Sequence, residues 1–266
     1  MDSLTLSKKI RLQALNMCSK GKSSHIGSIL SCADILAVLY SNFINYDVVN
    51  PKSQSRDRFV MSKGHAGAGL YATLACLGFV DTSILNTHYQ NGSYLSGHVC
   101  HKLFPGIEVS TGSLGHGLPI SCGIAQALKL QKSDSNVYVL MSDGELDEGS
   151  NWEAFLYSSH HRLDNLYVFI DRNFLQSIES TEETLALEPL TSKFESFGWY
   201  VATLDGHSHE DLSVNIQKSA LIKDKPKIFI CNTIKGKGVD FMENKVLWHY
   251  RSPSANELSL ATDLLS

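Results

Sequence analysis

Val137-Tyr138-Val139-Leu140-Met141-Ser142-Asp143-Gly144-Glu145-Leu146-Asp147-Glu148-Gly149 decides how this chain folds. Five apolar residues run without a break and then give way to an acidic, glycine-bounded turn. A strand covered on one face alternates apolar and polar residues, so an unbroken run implies burial on both faces, as in a parallel sheet. Leu166 to Ile170, Trp199 to Leu204 and Ile228 to Cys231 repeat the pattern, and Arg58-Phe59-Val60-Met61 is a shorter instance. Helical spacing fills the intervals, at about 117–131, 149–162, 189–197 and 209–222. Strands separated by helices of this length require right-handed crossovers. The expected fold class is therefore α/β, a mostly parallel sheet with helices on both faces. Upstream, Ile10 to Lys20 and Asp34 to Ile44 carry helical spacing, and the polar stretch Gly21 to Ser28 between them reads as a turn. A helix rich in Ala, Gly and Leu follows His65 to about Leu77, its small residues suiting close packing. With no repeat, low-complexity tract or linker, residues 1–266 read as one domain.

Composition narrows the function classes. The 266 residues are 43% hydrophobic and 19% charged, which excludes a disordered chain. The net charge is −4, from 23 Lys and Arg against 27 Asp and Glu, so nothing global attracts nucleic acid or an anionic membrane. The expectation is that no apolar run reaches the length needed to span a bilayer, and Met1 to Lys9 has no signal-peptide core. Six scattered cysteines without a C-x-x-C pair read as free, mostly buried thiols of a reducing compartment. A soluble cytoplasmic protein is expected, with neither nucleic acid nor membrane as partner.

Ligands of such sheets bind beyond the carboxyl ends of the strands. After 137–141 that rule selects Asp143-Gly144, and after 166–170 it selects Asp171-Arg172-Asn173-Phe174-Leu175. A carboxylate and an amide oxygen suit Mg²⁺ or Ca²⁺. From spacing alone, both pairs fit ordinary turns equally well. Histidine is the second signal. Of eleven, several lie beside glycine in turns: His25-Ile26-Gly27, Gly64-His65, Gly97-His98 and Gly115-His116-Gly117. One such histidine means little, but four together point to a site where backbone approaches a ligand and imidazoles handle protons. No H-x-x-x-H or H-E-x-x-H pattern or thiolate cluster accompanies them, which disfavours zinc. His160-His161 is expected to face solvent. Lys235-Gly236-Lys237-Gly238 lacks the G-x-x-x-x-G-K-[ST] spacing and reads as a basic turn after a strand, with phosphate contact as the weaker alternative.

Taken together these segments resemble the thiamine diphosphate-binding N-terminal part of transketolase. Asp143-Gly144 with Asn173 thirty positions on matches the family's cofactor motif. Its flanks match too: Glu148-Gly149-Ser150-Asn151-Trp152-Glu153-Ala154, Asp164-Asn165-Leu166 and Thr181-Glu182-Glu183. So do Asp57-Arg58-Phe59-Val60-Met61-Ser62-Lys63-Gly64-His65 and Thr111-Gly112-Ser113-Leu114-Gly115-His116-Gly117. The resemblance covers roughly residues 5 to 255. It implies that Asp143, Asn173 and the Leu175 carbonyl hold Mg²⁺ (or Ca²⁺), while Gly144 and His65 contact the diphosphate. It implies that Gly112, Ser113 and Leu114 line the cofactor's rings, that His25, His65, His98 and His249 handle hydroxyls and protons, and that Glu148 lies at a subunit interface. Four positions depart from the family: Ser142 and Phe174 stand where glycine is usual, Ile26 where proline is usual, and Tyr250 where a small residue follows the histidine. Phe174 and Tyr250 add bulk close to the cofactor or donor channel.

The resemblance further implies transfer of a two-carbon ketol unit between sugars or sugar phosphates. A decarboxylating synthase, a 2-oxo-acid dehydrogenase component and a non-catalytic scaffold are the alternatives. The ordered histidines favour polyol substrates, and the intact Asp143/Asn173 pair argues against a scaffold. Transketolase chains continue through a pyrimidine-binding domain that carries the glutamate activating the cofactor. A sequence ending at Ser266 therefore resembles the N-terminal subunit of a split transketolase. It would be inactive without a C-terminal subunit, and an α2β2 heterotetramer is the expected assembly.

Overall fold

A computed structural model describes residues 1–102 and 105–265. Five parallel strands form one sheet in the order β1-β2-β3-β5-β4: β1 Arg58–Met61, β2 Val137–Ser142, β3 Leu166–Arg172, β4 Tyr200–Asp205 and β5 Lys227–Asn232. The register pairs Val137 with Leu166 and runs through Ser142 opposite Asp171, so the turns after β2 and β3 leave the sheet side by side. Every residue of β2 and β3 is buried, as their unbroken apolar runs predict.

Strand alternation sends side chains into two separate cores. Val137, Val139, Met141, Val168, Ile170, Ile228 and Ile230 face one core. That side is covered by α4 (Gly117–Leu130), α5 (Gly149–His160) and α7 (Leu190–Ser196), through Leu118, Phe155 and Phe194. Tyr138, Leu140, Phe169, Phe229 and Cys231 face the other core, with α1 (Ser3–Gly21), α2 (Ile26–Val38), α3 (Gly67–Cys76), α8 (His209–Ser219) and α9 (Ala255–Leu265). Helices therefore lie on both faces, as expected. A short α6 (Thr181–Thr184) follows the turn after β3.

The N-terminal helices depart from the sequence reading. α1 begins at Ser3, where Asp2 caps it by accepting from the Thr5 N–H, and it ends at Lys22 in the left-handed region. The turn before α2 is shorter than the polar stretch suggests. His25, at φ 75°, reverses the chain, and helix resumes at Ile26. Ile26 occupies the first helical position, which explains why proline fits there in the family. All thirteen residues of α2 are buried. Together with the π-turn Leu39–Phe43 it makes an 18-residue run, Ile26–Phe43, long and apolar enough to cross a membrane. That corrects the expectation that no run reaches this length. Of this run 83% is buried within the protein, where Ser31 donates to Asp171 and Asp34 receives Arg11, while the buried Ser41 hydroxyl finds no partner among the described residues. All six cysteines are free; Cys18, Cys32, Cys122 and Cys231 are buried, while Cys76 and Cys100 are partly so.

Phe169 and Phe229 stack at 4.7 Å between ring centroids across β3 and β5, both fully buried. Phe169→Ala leaves a cavity that the flanking strands cannot collapse around, and should cost about 3–5 kcal/mol of stability. Chemical denaturation measures this, and a loss under about 1 kcal/mol would mean that the two faces are not packed as described.

Candidate functional site

The loops leaving β1, β2, β3 and β5 converge with the start of α2 on a cavity of roughly 240 Å³ at the carboxyl edge of the sheet. Asp143 and Gly144 come from β2, Asn173 and Leu175 from β3, and all four line it. Asp143 is buried. Its Oδ1 accepts from the Gly144 N–H at 2.8 Å, and its Oδ2 accepts from the Phe174 N–H at 2.7 Å and from Arg172 at 3.3 Å. The two candidate turns are thus tied to each other. Burial pushes the Asp143 carboxyl up, Asp171 adds to this, and Arg172 opposes it.

Beneath the cavity lies a fully buried ion pair between Lys63 and Asp171. Asp171 also receives the hydroxyls of Ser31 and Thr233 and the amide of Asn173, the last at 3.3 Å. Burial opposes ionisation of both partners, yet their mutual attraction holds Asp171 below and Lys63 above the ordinary values. The bond to Asp171 fixes the Asn173 side chain, and its oxygen accepts from the Leu175 N–H at 3.2 Å. Lys63 further donates to the Ser28 carbonyl at 3.0 Å.

Lys235 supplies a second buried ammonium, this one lining the cavity. Its Nζ donates to the carbonyls of Leu175 at 2.8 Å and Gln176 at 3.0 Å, and lies 3.1 Å from His249 Nδ1. Burial pulls it down to about 8, with Asp143 opposing the shift. Of the Lys-Gly-Lys-Gly turn, Lys235 alone lines the cavity, and Lys237 pairs with Glu243 at 3.7 Å. The segment is the basic turn after a strand that the sequence suggests, and it delivers one of its two lysines to the cavity.

Four of the predicted histidines meet here. The His25 ring lies 5.3 Å from that of His65, 5.5 Å from His98 and 5.0 Å from His249. His25 is held in its left-handed conformation by donating its N–H to the His249 carbonyl at 2.7 Å, while Ser24 engages its Nδ1 at 3.0 Å. Burial, His98 and Lys235 lower His25 to about 4, and burial with Lys235 lowers His249 to about 3. Burial and Lys63 hold His65 well below its ordinary value. At neutral pH these three rings are uncharged and can act as bases or hydrogen-bond partners. Tyr250 forms the rim, 64% exposed, with its ring 4.8 Å from that of His249.

Gly112 and Leu114 line the cavity, whereas Ser113 and Glu148 are exposed outside its wall. Glu148 opens α5 beside Gly115, where a Cβ on Gly115 would meet the Glu148 Cβ at 2.6 Å. Glu145, one turn earlier, is fully buried and receives the N–H groups of Gly115 at 3.1 Å and Ser142 at 3.3 Å, as well as the Ser62 hydroxyl. It joins three of the loops around the cavity. His160 and His161 are exposed, as expected. Sequence reasoning missed Ser28, Gln176 and Ser177, which line the cavity and carry no motif of their own.

Asp143, Asn173 and the Leu175 carbonyl offer hard oxygens in one cavity, a donor set that suits a divalent cation. Among the described residues no group of three or more His, Cys, Asp or Glu could hold a metal ion. A cation held here would need further ligands from water or from a bound molecule, and the buried Lys235 ammonium beside it would favour an anionic one.

The sequence matches the family model for the transketolase, thiamine diphosphate-binding domain over residues 3–263. It is 42% identical over 251 residues to an apulose-4-phosphate transketolase subunit of Phocaeicola vulgatus, covering 94% of this chain and 89% of that protein. It is 37% identical over 242 residues to the 6-deoxy-6-sulfo-D-fructose transketolase subunit SqwG of Clostridium sp., covering 91% and 87%. Among solved structures, Campylobacter jejuni transketolase superposes with a TM-score of 0.92 at 29% identity and that of Leishmania mexicana with 0.94 at 28%. Those matches cover 99% and 100% of this chain but only 42% and 41% of theirs, so it spans about two fifths of their length. Together with the paired turns after β2 and β3, these likenesses show that the chain belongs to the transketolase family, as a thiamine diphosphate-binding domain.

Proposed function

We propose that residues 1–266 form a single diphosphate-binding domain that serves as the N-terminal subunit of a two-chain transketolase, moving a two-carbon ketol unit from a ketose to an aldose. The observation that carries this reading is the meeting of Asp143, Asn173, the Leu175 carbonyl and Lys235 with four histidines in one cavity. Asp143, Asn173 and Leu175 would hold Mg²⁺ against the cofactor's diphosphate, with Gly144, His65 and Lys235 touching its oxygens. Gly112 and Leu114 would lie along its rings, whereas Ser113, expected to join them, stands outside the cavity wall. Thiamine diphosphate, when bound, supplies the carbon nucleophile. This chain's part is to orient the ligand and move protons: His25, His98 and His249 accept from and donate to sugar hydroxyls near the reacting carbon. Exposed Glu148 would meet the partner chain beside the carboxylate that activates the cofactor. Two relatives named as transketolase subunits support a split assembly and a sugar or sugar-phosphate substrate class. An α2β2 heterotetramer with a chain carrying the pyrimidine-binding domain is the proposed assembly, and the free thiols suit a cytoplasmic setting.

The direct test is titration calorimetry of thiamine diphosphate, with and without Mg²⁺, into the chain assembled with its partner. Micromolar or tighter, Mg²⁺-dependent binding is expected, as is ketol transfer by the pair but not by this chain alone. Asp143→Ala removes the one charged protein ligand and should weaken cofactor binding by about tenfold or more. Unchanged affinity would move the metal elsewhere.

His249→Ala should lower turnover by roughly 10²-fold, the usual worth of acid–base help. Tyr250→Gly opens the rim and should change the ratio of kcat/KM values between short and long aldoses, leaving cofactor affinity alone. A Tyr250 variant that changes only stability would make the rim purely structural.

The histidine shifts also predict how stability responds to pH. His25, His88 and His249 fall to about 4, 4 and 3 in the folded chain, each chiefly through burial, against an ordinary 6.5. Between these values the unfolded chain binds more protons, so their contribution is complete above pH 6.5 and declines as pH falls towards 4. His88 lies outside the cavity, paired with Ser23 at 3.0 Å. His88→Gln should therefore flatten the fall in thermal midpoint between about pH 7 and 5. An identical pH profile in the variant would show that His88 is not held neutral.

A further inference from the structure

Lys235 reaches the cavity from a loop whose backbone is held from behind, and two of its ties converge on one buried carboxylate. Asp34 lies on α2 and is 5% exposed. Its Oδ1 receives Arg11 Nη1 at 2.8 Å and His209 Nε2 at 3.1 Å, and its Oδ2 receives Arg11 Nη2 at 2.6 Å and His207 Nδ1 at 2.8 Å. The other nitrogen of His207 faces the Ile234 N–H at 2.8 Å. A backbone N–H can only donate, so His207 Nε2 is the acceptor and its proton sits on Nδ1, directed at Asp34. A carboxylate can only accept, so His209 Nε2 carries a proton directed at Asp34, and its Nδ1 meets the Ser3 hydroxyl at 2.7 Å. On the far side of Lys235, Arg11 Nε donates to the Lys237 carbonyl at 3.2 Å. Backbone ties add to these, Gly236 N–H to the Gly27 carbonyl and Asn244 N–H to the Lys235 carbonyl, each 2.9 Å. The side chains that grip Ile234 and Lys237, on either side of Lys235, are therefore both bound to Asp34.

We infer that Asp34 and His207 are positioning residues for Lys235: they fix the backbone on which its ammonium is presented to the anionic ligand. Neither side chain lines the cavity. The inference rests on the proposed role of Lys235 towards the diphosphate, but the anchoring itself can be read without any ligand.

Two measurements on the full chain address the anchor. Nitrogen-15 NMR of the wild-type histidines should show His207 protonated on Nδ1 at neutral pH, and the opposite tautomer would overturn the inference without any variant. His207→Phe keeps the ring's bulk and removes both nitrogens. Amide exchange across 234–237 should speed up by about tenfold or more, while β2 stays protected. His207→Gln retains an acceptor for Ile234 and should exchange more slowly than the Phe variant. Unaltered exchange in both variants overturns the anchor.

The link to the site is read by calorimetric titration of thiamine diphosphate with Mg²⁺ into the assembled two-chain protein. His207→Phe should weaken binding by about tenfold, yet by less than about twofold when Lys235→Met is already present, because the two act as one unit. An equal loss in both backgrounds would make His207 merely structural. Should wild type bind no thiamine diphosphate, the functional reading and the positioning role both fall, while the exchange data still decide whether His207 holds the loop.

Discussion

The Lys63–Asp171 pair is the constraint on which the site depends. Lys63 follows β1, Asp171 is the penultimate residue of β3, and β2 runs between those strands. Taking both charges out of water is costly, and such a pair persists only where further hydrogen bonds satisfy it. Here Asp171 receives Ser31 from α2, Thr233 after β5 and Asn173 after β3, while Lys63 reaches back to the Ser28 carbonyl. One carboxylate thereby locks three strand ends and a helix to one another. Removing either partner would leave the other buried and unpaired, a loss of about 3–5 kcal/mol in comparable pairs. Asn173 is aimed by this arrangement, so the orientation of the cavity's amide oxygen is decided by charges that do not themselves line the cavity.

The same cations set the character of the histidines. Burial alone disfavours an imidazolium, and Lys63 and Lys235 add repulsion, so His25, His65 and His249 stay neutral although the Asp143 carboxylate lines the same cavity. A neutral cluster suits hydroxylated, uncharged parts of a substrate, since it can donate and accept without demanding a counter-ion. Positive charge is supplied by Lys235 at the end near Asp143 and Leu175. That ammonium also lies 3.1 Å from His249 Nδ1, so it joins the β2–β3 turns to the histidine cluster.

Much of this was legible in the sequence, because strands buried on both faces leave unbroken apolar runs and ligand turns follow them. β2 and β3 were recognisable in that way, and with them Asp143 and Asn173. What escaped was set by contacts distant in sequence. Ile26 to Ser28 look like turn residues, but His25 accepts the left-handed strain and helix begins immediately after it. Lys235 sits in a segment whose composition says only that it is basic. Its burial depends on Leu175, Gln176 and His249, contributed by other loops. Asp34 interrupts an apolar helix in the sequence without revealing that Arg11, His207 and His209 will surround it. The α9 helix near the C-terminal end has Leu258, Ala261 and Leu265 on one face against the core, but Ala261 is its one fully buried residue.

Phe174 illustrates how a departure from the family pattern can be absorbed. At φ 65° it takes a conformation that costs a side-chain-bearing residue about 1–2 kcal/mol and costs glycine almost nothing. Two contacts offset this. Its N–H donates to Asp143 Oδ2 at 2.7 Å, and the Arg172 guanidinium stacks 4.2 Å above its ring. Arg172 is itself buried and also binds Thr181 at 2.6 Å, Glu182 at 2.9 Å and Glu188 at 3.0 Å. The strained residue, the candidate metal carboxylate and the segment around α6 thus share one guanidinium. The ring stays half exposed and does not line the cavity. The extra bulk at this position therefore falls outside the cavity, whereas two other departures, Ser142 and Tyr250, line it.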